Sequence, residues 1–269
     1  MNRTTPVIIF GDYIAAYGAI RGLSQYDIPI YIVSKTGEGM STKSRFVKSV
    51  LQLDPKDVDF IDKLDNWFVR EIGVDAVLMV AGDDDYLDTL SKAHDQLRPE
   101  MKTTFPNWEI VKLVREKRRT YTLAEELGIP VPKTYYITSH AELESLLNNK
   151  EEKLSFPMFM KPESDSKGFL HKYGIKGVVC ENKEELLKYY QNYDAFGGQL
   201  ILQDMIPGEE GKHMNLRVVL NRQSQPLGVF FSSRRRSSQQ FQSPTIVGST
   251  WSDTVLDYSL QLLSKIGYY

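Results

Sequence analysis

The chain has 269 residues, and because a single hydrophobic core stops growing at roughly 250–300 residues, two lobes are expected. Hydrophobic residues at 41% and charged residues at 25% exclude wholesale disorder, while 33 Lys and Arg against 35 Asp and Glu, a net charge of −2, argue against a mainly electrostatic nucleic-acid binder. Apolar stretches such as 7–10 and 76–81 are too short to span a bilayer, residues 1–6 lack a signal-peptide core, and the lone Cys180 cannot form an internal disulfide. A cytoplasmic protein with neither nucleic-acid nor membrane partners is the expectation.

The first hundred residues alternate strand and helix signals. Residues 7–10 form an apolar run closed by Gly11, and Ile14, Tyr17, Ala19, Ile20 and Leu23 then recur at helical spacing. Strands are predicted at 29–33 and 46–53, a helix over 56–71 with Ile61, Leu64 and Phe68 on one face, a buried strand at 76–80, and a helix marked by Leu87, Leu90, Ala93 and Leu97. That alternation implies a doubly wound parallel sheet. A new pattern begins near Asn107: a helix over 116–127 stops at Gly128 and Pro130, and two βαβ-like units follow. In the first, strand 135–137 leads to Ser139, which lies three residues before Glu142 as in a capping box, and the chain returns at 156–160. In the second, strand 177–180 leads to Asn182, three before Glu185, and 200–203 closes the unit. Residues 216–220 and 227–231 read as a hairpin turning at 221–225, and a last helix is expected over 252–266.

Several chemistry-bearing candidates have plain structural readings. Gly11 invites a dinucleotide fingerprint, but offsets 2 and 5 are Tyr13 and Ala16 and the second strand ends in Ser34, so an NAD-dependent oxidoreductase is disfavoured and a structural turn preferred. Residues 208–213 resemble a P-loop only superficially, with two residues between glycines where four are needed. Asp83, Asp84 and Asp85 suit either metal ligation or a helix N-terminus, with the cap favoured. The four histidines show no ligand spacing, and Cys180 reads as core.

Lys161 is sharper. It closes the apolar strand 156–160, where an unpaired ammonium must snorkel out or meet an anion. The stretch 163–176, with Ser164, Ser166, Gly168 and Gly174, suits either a surface loop or a lid over phosphate oxygens. Residues 200–210 then leave an apolar strand through Pro207-Gly208, presenting free backbone donors and acceptors beside apolar side chains, which suits a flat purine.

Four motifs occur in one order: Glu116-Lys117; Leu127-Gly128-Ile129-Pro130-Val131-Pro132-Lys133-Thr134; Phe156-Pro157-Met158-Phe159-Met160-Lys161-Pro162; and Gln203-Asp204-Met205-Ile206-Pro207-Gly208-Glu209-Glu210. Together they resemble the ATP-grasp superfamily, especially its carboxylate–amine ligases and carbamoyl-phosphate-synthase-like members. The resemblance implies a mixed α/β and α+β architecture. A Rossmann-like domain would cover 1–110, a small lobe with a phosphate lid 111–205, and the start of an incomplete C-terminal lobe 206–269.

It further implies that Lys117 and Lys161 hold ATP phosphates and that Gln203, the Asp204 carbonyl and the Ile206 N–H face adenine. Glu210 would bond the ribose, with Glu209 a near competitor, and Ser166 and Gly168 would belong to the lid, which is less glycine-rich than in many relatives. Arg234-Arg235-Arg236 reads either as a basic surface turn or as the cluster reaching phosphate and carboxylate; alternation sets Arg235 apart, leaving Arg234 and Arg236 as the catalytic pair and Arg217 as a weaker candidate. The family's Glu and Glu-x-Asn magnesium ligands follow a segment like 266–268, so the ligands for Mg2+ are expected beyond Tyr269, none is named within the chain, and the chain as given is expected to turn over poorly. The implied activity is ATP-dependent amide formation from small-molecule carboxylate and amine substrates through an acyl phosphate, with a possible homodimer. The alternative is a non-catalytic nucleotide-binding or scaffolding module.

Overall fold

The computed structural model describes residues 5–149, 154–163, 177–193, 199–208, 212–237 and 244–269. It divides into two compact units, Met1–Thr120 with Val219–Gly228 and Ser259–Tyr269, and Tyr121–Val218 with Val229–Tyr258. No helix among the described residues is long and apolar enough to cross a membrane.

The first unit is built on a five-stranded sheet of order β3-β2-β1-β4-β5, comprising β1 (Val7–Phe10), β2 (Ile30–Ser34), β3 (Val47–Gln52), β4 (Ala76–Val80) and β5 (Met101–Thr103). Every neighbouring pair is parallel. Parallel strands need covering on both faces, which explains why β1 is apolar at every position. Ile8 and Phe10 enter one core with Leu64 and Phe68 of α2 (Phe60–Glu71) and Tyr86 and Leu90 of α3 (Asp84–Lys92). Val7 and Ile9 enter the other with Ala16 and Ile20 of α1 (Ile14–Leu23). The α1 face differs from its sequence pattern: Ile14 and Tyr17 are 64% and 39% exposed, and the helix meets the sheet through Ala16 and Ile20 one turn apart. Gly11 is indeed a turn, with φ +108 and a position where a Cβ would lie 3.0 Å from the Ala81 carbonyl.

Three elements, β5, α4 (Trp108–Arg115) and β12 below, have no counterpart in the sequence reading. The helix expected over 116–127 is preceded by α4, and Glu116 adopts an extended conformation between α4 and α5 (Lys117–Glu126). Thr120 Oγ donates to the Leu113 carbonyl at 2.8 Å, satisfying one acceptor freed at the end of α4. α5 stops as expected: Gly128 takes φ +67, the Ile129 N–H donates to Ala124 O at 2.8 Å and the Gly128 N–H to Glu125 O at 2.9 Å.

The second unit contains a four-stranded sheet of order β6-β9-β7-β8, from β6 (Thr134–Ile137), β7 (Met158–Pro162), β8 (Val178–Cys180) and β9 (Leu200–Asp204), with helices α6 (His140–Asn148) and α7 (Lys183–Tyr193). All neighbouring strands are antiparallel, yet both expected βαβ-like units are present. Each helix does return the chain parallel to the strand it left, but the other unit's strand lies in between: β9 separates β6 from β7, and β7 separates β8 from β9. This is the interleaved split-βαβ arrangement, in which each unit's central gap is filled by its partner.

Both helix caps form. Ser139 Oγ accepts from Glu142 N at 3.2 Å, and Asn182 Oδ1 accepts from Glu185 N at 2.9 Å. The reciprocal carboxylates reach one residue further back than in a standard capping box, to Thr138 N and Glu181 N.

Downstream, β10 (Met214–Leu220), β11 (Pro226–Ser237) and β12 (Pro244–Ser249) form a three-stranded sheet in that order, followed by α8 (Asp253–Ile266). The hairpin turn is closed by Asn221, whose Oδ1 accepts from the N–H groups of Gln223 and Gln225, both at 2.9 Å.

Candidate nucleotide site

Residues opposite one another in a sheet share a face, so the register of the β6-β9-β7-β8 sheet sorts its side chains. On one face, Ile137, Met158, Met160, Cys180, Leu200 and Leu202 pack with Leu143 of α6 and Leu186 and Tyr190 of α7. The other face, away from these helices, carries Thr134, Phe159, Lys161, Ile201 and Gln203. Lys161 and Gln203 therefore meet on the side that α6 and α7 leave clear. Gly177, entering β8, is bound to be glycine, since a Cβ there would lie 2.5 Å from Met160 O.

Lys161 Nζ donates to Gln203 Oε1 at 3.2 Å. Gln203 is only 8% exposed, and its Nε2 donates to Thr134 Oγ at 2.8 Å. Among the described residues no carboxylate lies within ion-pair distance of Lys161, and burial pushes its pKa below the ordinary lysine value. An ammonium held by a neutral amide keeps its full positive charge, which a carboxylate partner would cancel. The half-buried ammonium is thus partly withdrawn from solvent and keeps a charge that an anion could meet.

Beyond β9 the chain extends through Met205 to Gly208. Asp204 N donates to Lys133 O at 3.0 Å, while Ile206 is 71% exposed and its amide has no hydrogen-bond partner among the described residues. The Asp204 side chain points to the helix-covered face, and its Oδ1 is buried without a partner among the described residues. Ser166, Gly168 and Glu210, with the rest of the expected lid and Glu209, lie outside the described residues. Lys117 opens α5 in the first unit, whereas Lys161, Gln203, Asp204 and Ile206 belong to the second.

The arginine cluster departs from simple alternation. In the β11–β12 ladder Arg234 opposes Val247 and Arg236 opposes Ile246, with a register shift at Arg235. Val247 and Ile246 are successive residues of β12 and point to opposite faces, so Arg234 and Arg236 do too. The expectation that these two share a side is corrected; the cause is the extra residue between them on β11, and a second register shift follows between Arg236 and Ser237. Arg235 extends across Gly248, where a Cβ would come within 2.7 Å of its Nε. Arg234 Nε and the neighbouring Ser233 Oγ are buried without hydrogen-bond partners among the described residues, and none of the three guanidiniums has an ion pair there. Arg217 Nη1 donates to Ser232 Oγ at 3.0 Å and so braces the hairpin.

Asp83 is a helix cap: its carboxylate accepts from Asp85 N at 3.0 Å and Tyr86 N at 3.4 Å. Lys35 Nζ bridges Asp83 and Asp85, each at 3.0 Å. Among the described residues no group of three or more His, Cys, Asp or Glu side chains is placed to hold a metal ion. Thr134, which sequence reasoning did not single out, is the hydrogen-bond partner of the Gln203 amide nitrogen. Its hydroxyl gains meaning only from the strand register that sets it opposite Gln203.

No protein-family model matches the chain. Among curated proteins it is similar to a D-aspartate ligase of Enterococcus faecium (strain Aus0004), at 26% identity over 149 residues, covering 53% of this chain and 34% of that protein. Among solved structures it is similar to an L-amino acid ligase from Bacillus licheniformis, with TM-score 0.66 and 15% identity over 98% of this chain and 61% of that one. It is also similar to an N5-carboxyaminoimidazole synthetase from Staphylococcus aureus complexed with ADP, with TM-score 0.67 and 11% identity over 99% of this chain and 64% of that one. The chain thus spans about a third of the curated relative and just under two thirds of these solved structures. The doubly wound parallel sheet and the interleaved antiparallel sheet are thus the fold shared with these two solved structures, over the length the chain covers.

Proposed function

We propose that this chain carries the nucleotide-binding part of an ATP-dependent ligase that joins a carboxylate to an amine. The observation that carries the reading is the Lys161 ammonium, half-buried on the helix-free face and held by a neutral amide with no carboxylate beside it among the described residues. Adenine would lie along the extended strand exit, with the free Ile206 amide as donor and the Asp204 carbonyl as acceptor. Lys161 would meet the phosphates, and Glu210 would bond the ribose. The neighbour solved with ADP supports a nucleotide as ligand.

In the reaction proposed, a carboxylate oxygen attacks the γ-phosphorus of ATP, the bond to the β-phosphate oxygen breaks, and an acyl phosphate and ADP result. The amine lone pair then attacks the acyl carbon, phosphate leaves with the C–O bonding pair, and the nitrogen loses a proton. Activation is needed because a carboxylate oxygen is a poor leaving group. The enzyme's share is positioning and charge stabilisation. Arg234 and Arg236 lie on opposite faces of β11 and so would serve different anions, one the transferring phosphate and the other the carboxylate. Magnesium would neutralise the ATP phosphates; no residue is assigned to it. The similarity to ligases named for D-aspartate and for L-amino acids favours an amino acid as the carboxylate substrate.

Hydroxylamine as a surrogate amine tests the reading: acyl hydroxamate formation that depends on ATP and on one amino acid in a panel supports it. ADP binding with neither hydroxamate nor ADP release favours the non-catalytic module, and absence of any adenine-nucleotide binding refutes both. A homodimer, suggested by resemblance, is checked by sedimentation of the same preparation.

A further inference from the structure

Three side chains on the helix-free face are linked in series. Lys161 Nζ donates to Gln203 Oε1 at 3.2 Å, Gln203 Nε2 donates to Thr134 Oγ at 2.8 Å, and Thr134 Oγ donates to the Pro132 carbonyl at 2.7 Å. The last link fixes the others. A carbonyl oxygen only accepts, so the single Thr134 hydroxyl proton is committed to Pro132, and the hydroxyl oxygen is left as an acceptor. It is therefore the amide nitrogen of Gln203 that must face Thr134, and the amide oxygen that must face Lys161. Rotated by half a turn, the amide would present NH2 to an ammonium, donor against donor, and would offer its oxygen to a hydroxyl with no proton to give.

The register makes the arrangement rigid. Thr134 lies directly opposite Gln203 in the β6–β9 ladder, and Phe159 lies opposite Gln203 on β7, so the amide is held between two strands at a position only 8% exposed. Among the described residues Gln203 is the hydrogen-bond partner of Lys161, so the amide's orientation decides where the ammonium can rest.

We propose that Thr134 is a positioning residue of the nucleotide site, acting through the Gln203 amide to hold the Lys161 ammonium where it meets a phosphate oxygen. The inference rests on the nucleotide-binding reading above, and the test separates the two. Thr134→Val and Thr134→Ala remove the hydroxyl, the first at nearly constant volume and with a β-branched residue suited to a strand. Thr134→Ser keeps the hydroxyl, and Lys161→Met removes the ammonium.

ADP is titrated calorimetrically into each variant of the 269-residue chain, with melting temperatures measured alongside. The expected result is a Kd raised about 3- to 10-fold in Thr134→Val and Thr134→Ala, as for loss of one net hydrogen bond, a Kd within about twofold of the parent in Thr134→Ser, and a larger loss in Lys161→Met. Lost affinity in Lys161→Met with parental affinity in both hydroxyl-free variants overturns the positioning role and leaves the nucleotide reading standing. Thr134→Ser as weak as Thr134→Val overturns it as well, because the hydroxyl would then not be the group that matters. Parental affinity in all four variants overturns the nucleotide reading and the positioning role with it.

Discussion

Replacing Lys161 with methionine separates a binding role from a structural one. The substitution keeps an unbranched apolar stem on β7 and deletes only the charge. Two effects of opposite sign act on the ligand-free protein. Removing a partly buried ammonium relieves the desolvation that pushes its pKa down. Against this, Gln203 Oε1 loses a donor 3.2 Å away, and an acceptor left dry costs about 1–3 kcal/mol. The two oppose each other, so the melting temperature is expected to move by only a few degrees, at about 2–4 °C per kcal/mol for a chain of this length. Nucleotide binding has no such cancellation. A charge-assisted hydrogen bond to phosphate contributes about 1.5–3 kcal/mol, which at about 1.4 kcal/mol per decade raises the Kd for ADP roughly 10- to 150-fold. Calorimetric titration of ADP, with thermal melts of the same samples, reads both quantities. Parental ADP affinity in a folded Lys161→Met protein would refute the reasoning, as would a loss of affinity that merely follows a collapse in melting temperature.

Further outcomes follow from the same contacts. Because burial lowers the Lys161 pKa, ADP affinity should hold at neutral pH and fall as pH rises through that lowered value, before the ordinary 10.5; a flat affinity profile up to that pH contradicts the assignment. The ligand-free protein moves the opposite way, since the unfolded chain keeps this proton longer than the folded one, so the cost of burying Lys161 fades with rising pH across the same interval. The Cys180 thiol is pushed up from 9.0 to about 12, first by burial and then by Glu185 and Glu181. Its contribution to stability is therefore complete below the unfolded thiol's pKa and is lost as pH climbs toward the folded value. Native protein should resist alkylation at pH 8.5 and react only once denaturant unfolds the second unit, and a native rate equal to that of free cysteine would show the burial to be wrong. Asp83→Ala removes the α3 cap and one of two carboxylates on Lys35, and should cost about 0.5–2 kcal/mol, read as a lower melting temperature. An unchanged melt would mean that Asp84 or Asp85 takes over the cap.

Local rules carried much of the architecture into the sequence. The apolar β1 run, the Gly128 stop, the Ser139 and Asn182 caps and the Asn221 turn are each dictated by residues within a few positions of one another, and each forms. Lys161 and Gln203 were legible as strand-end residues for the same reason, helped by the order of four motifs. Sequence was silent wherever the deciding neighbour is remote. Ile14 and Tyr17 have helical spacing but face outward, because the face that packs on the sheet is the one carrying Ala16 and Ile20.

The returning strands of the two βαβ-like units were read correctly as strands, and yet their pairing could not be. Hydrophobic period fixes which residues form a strand, whereas which strand becomes its neighbour is settled by filling the gaps in the sheet. A bulge at Arg235 leaves no mark in a run of three arginines, but it sends Arg234 and Arg236 to opposite faces. The sequence by itself determined most of the elements and singled out Lys161 and Gln203 as strand-end residues. Only tertiary structure decided the interleaved strand order, the faces of the arginines and the place of Thr134, because each depends on register between strands far apart in the chain, and register is set by packing and hydrogen bonding rather than by local preference.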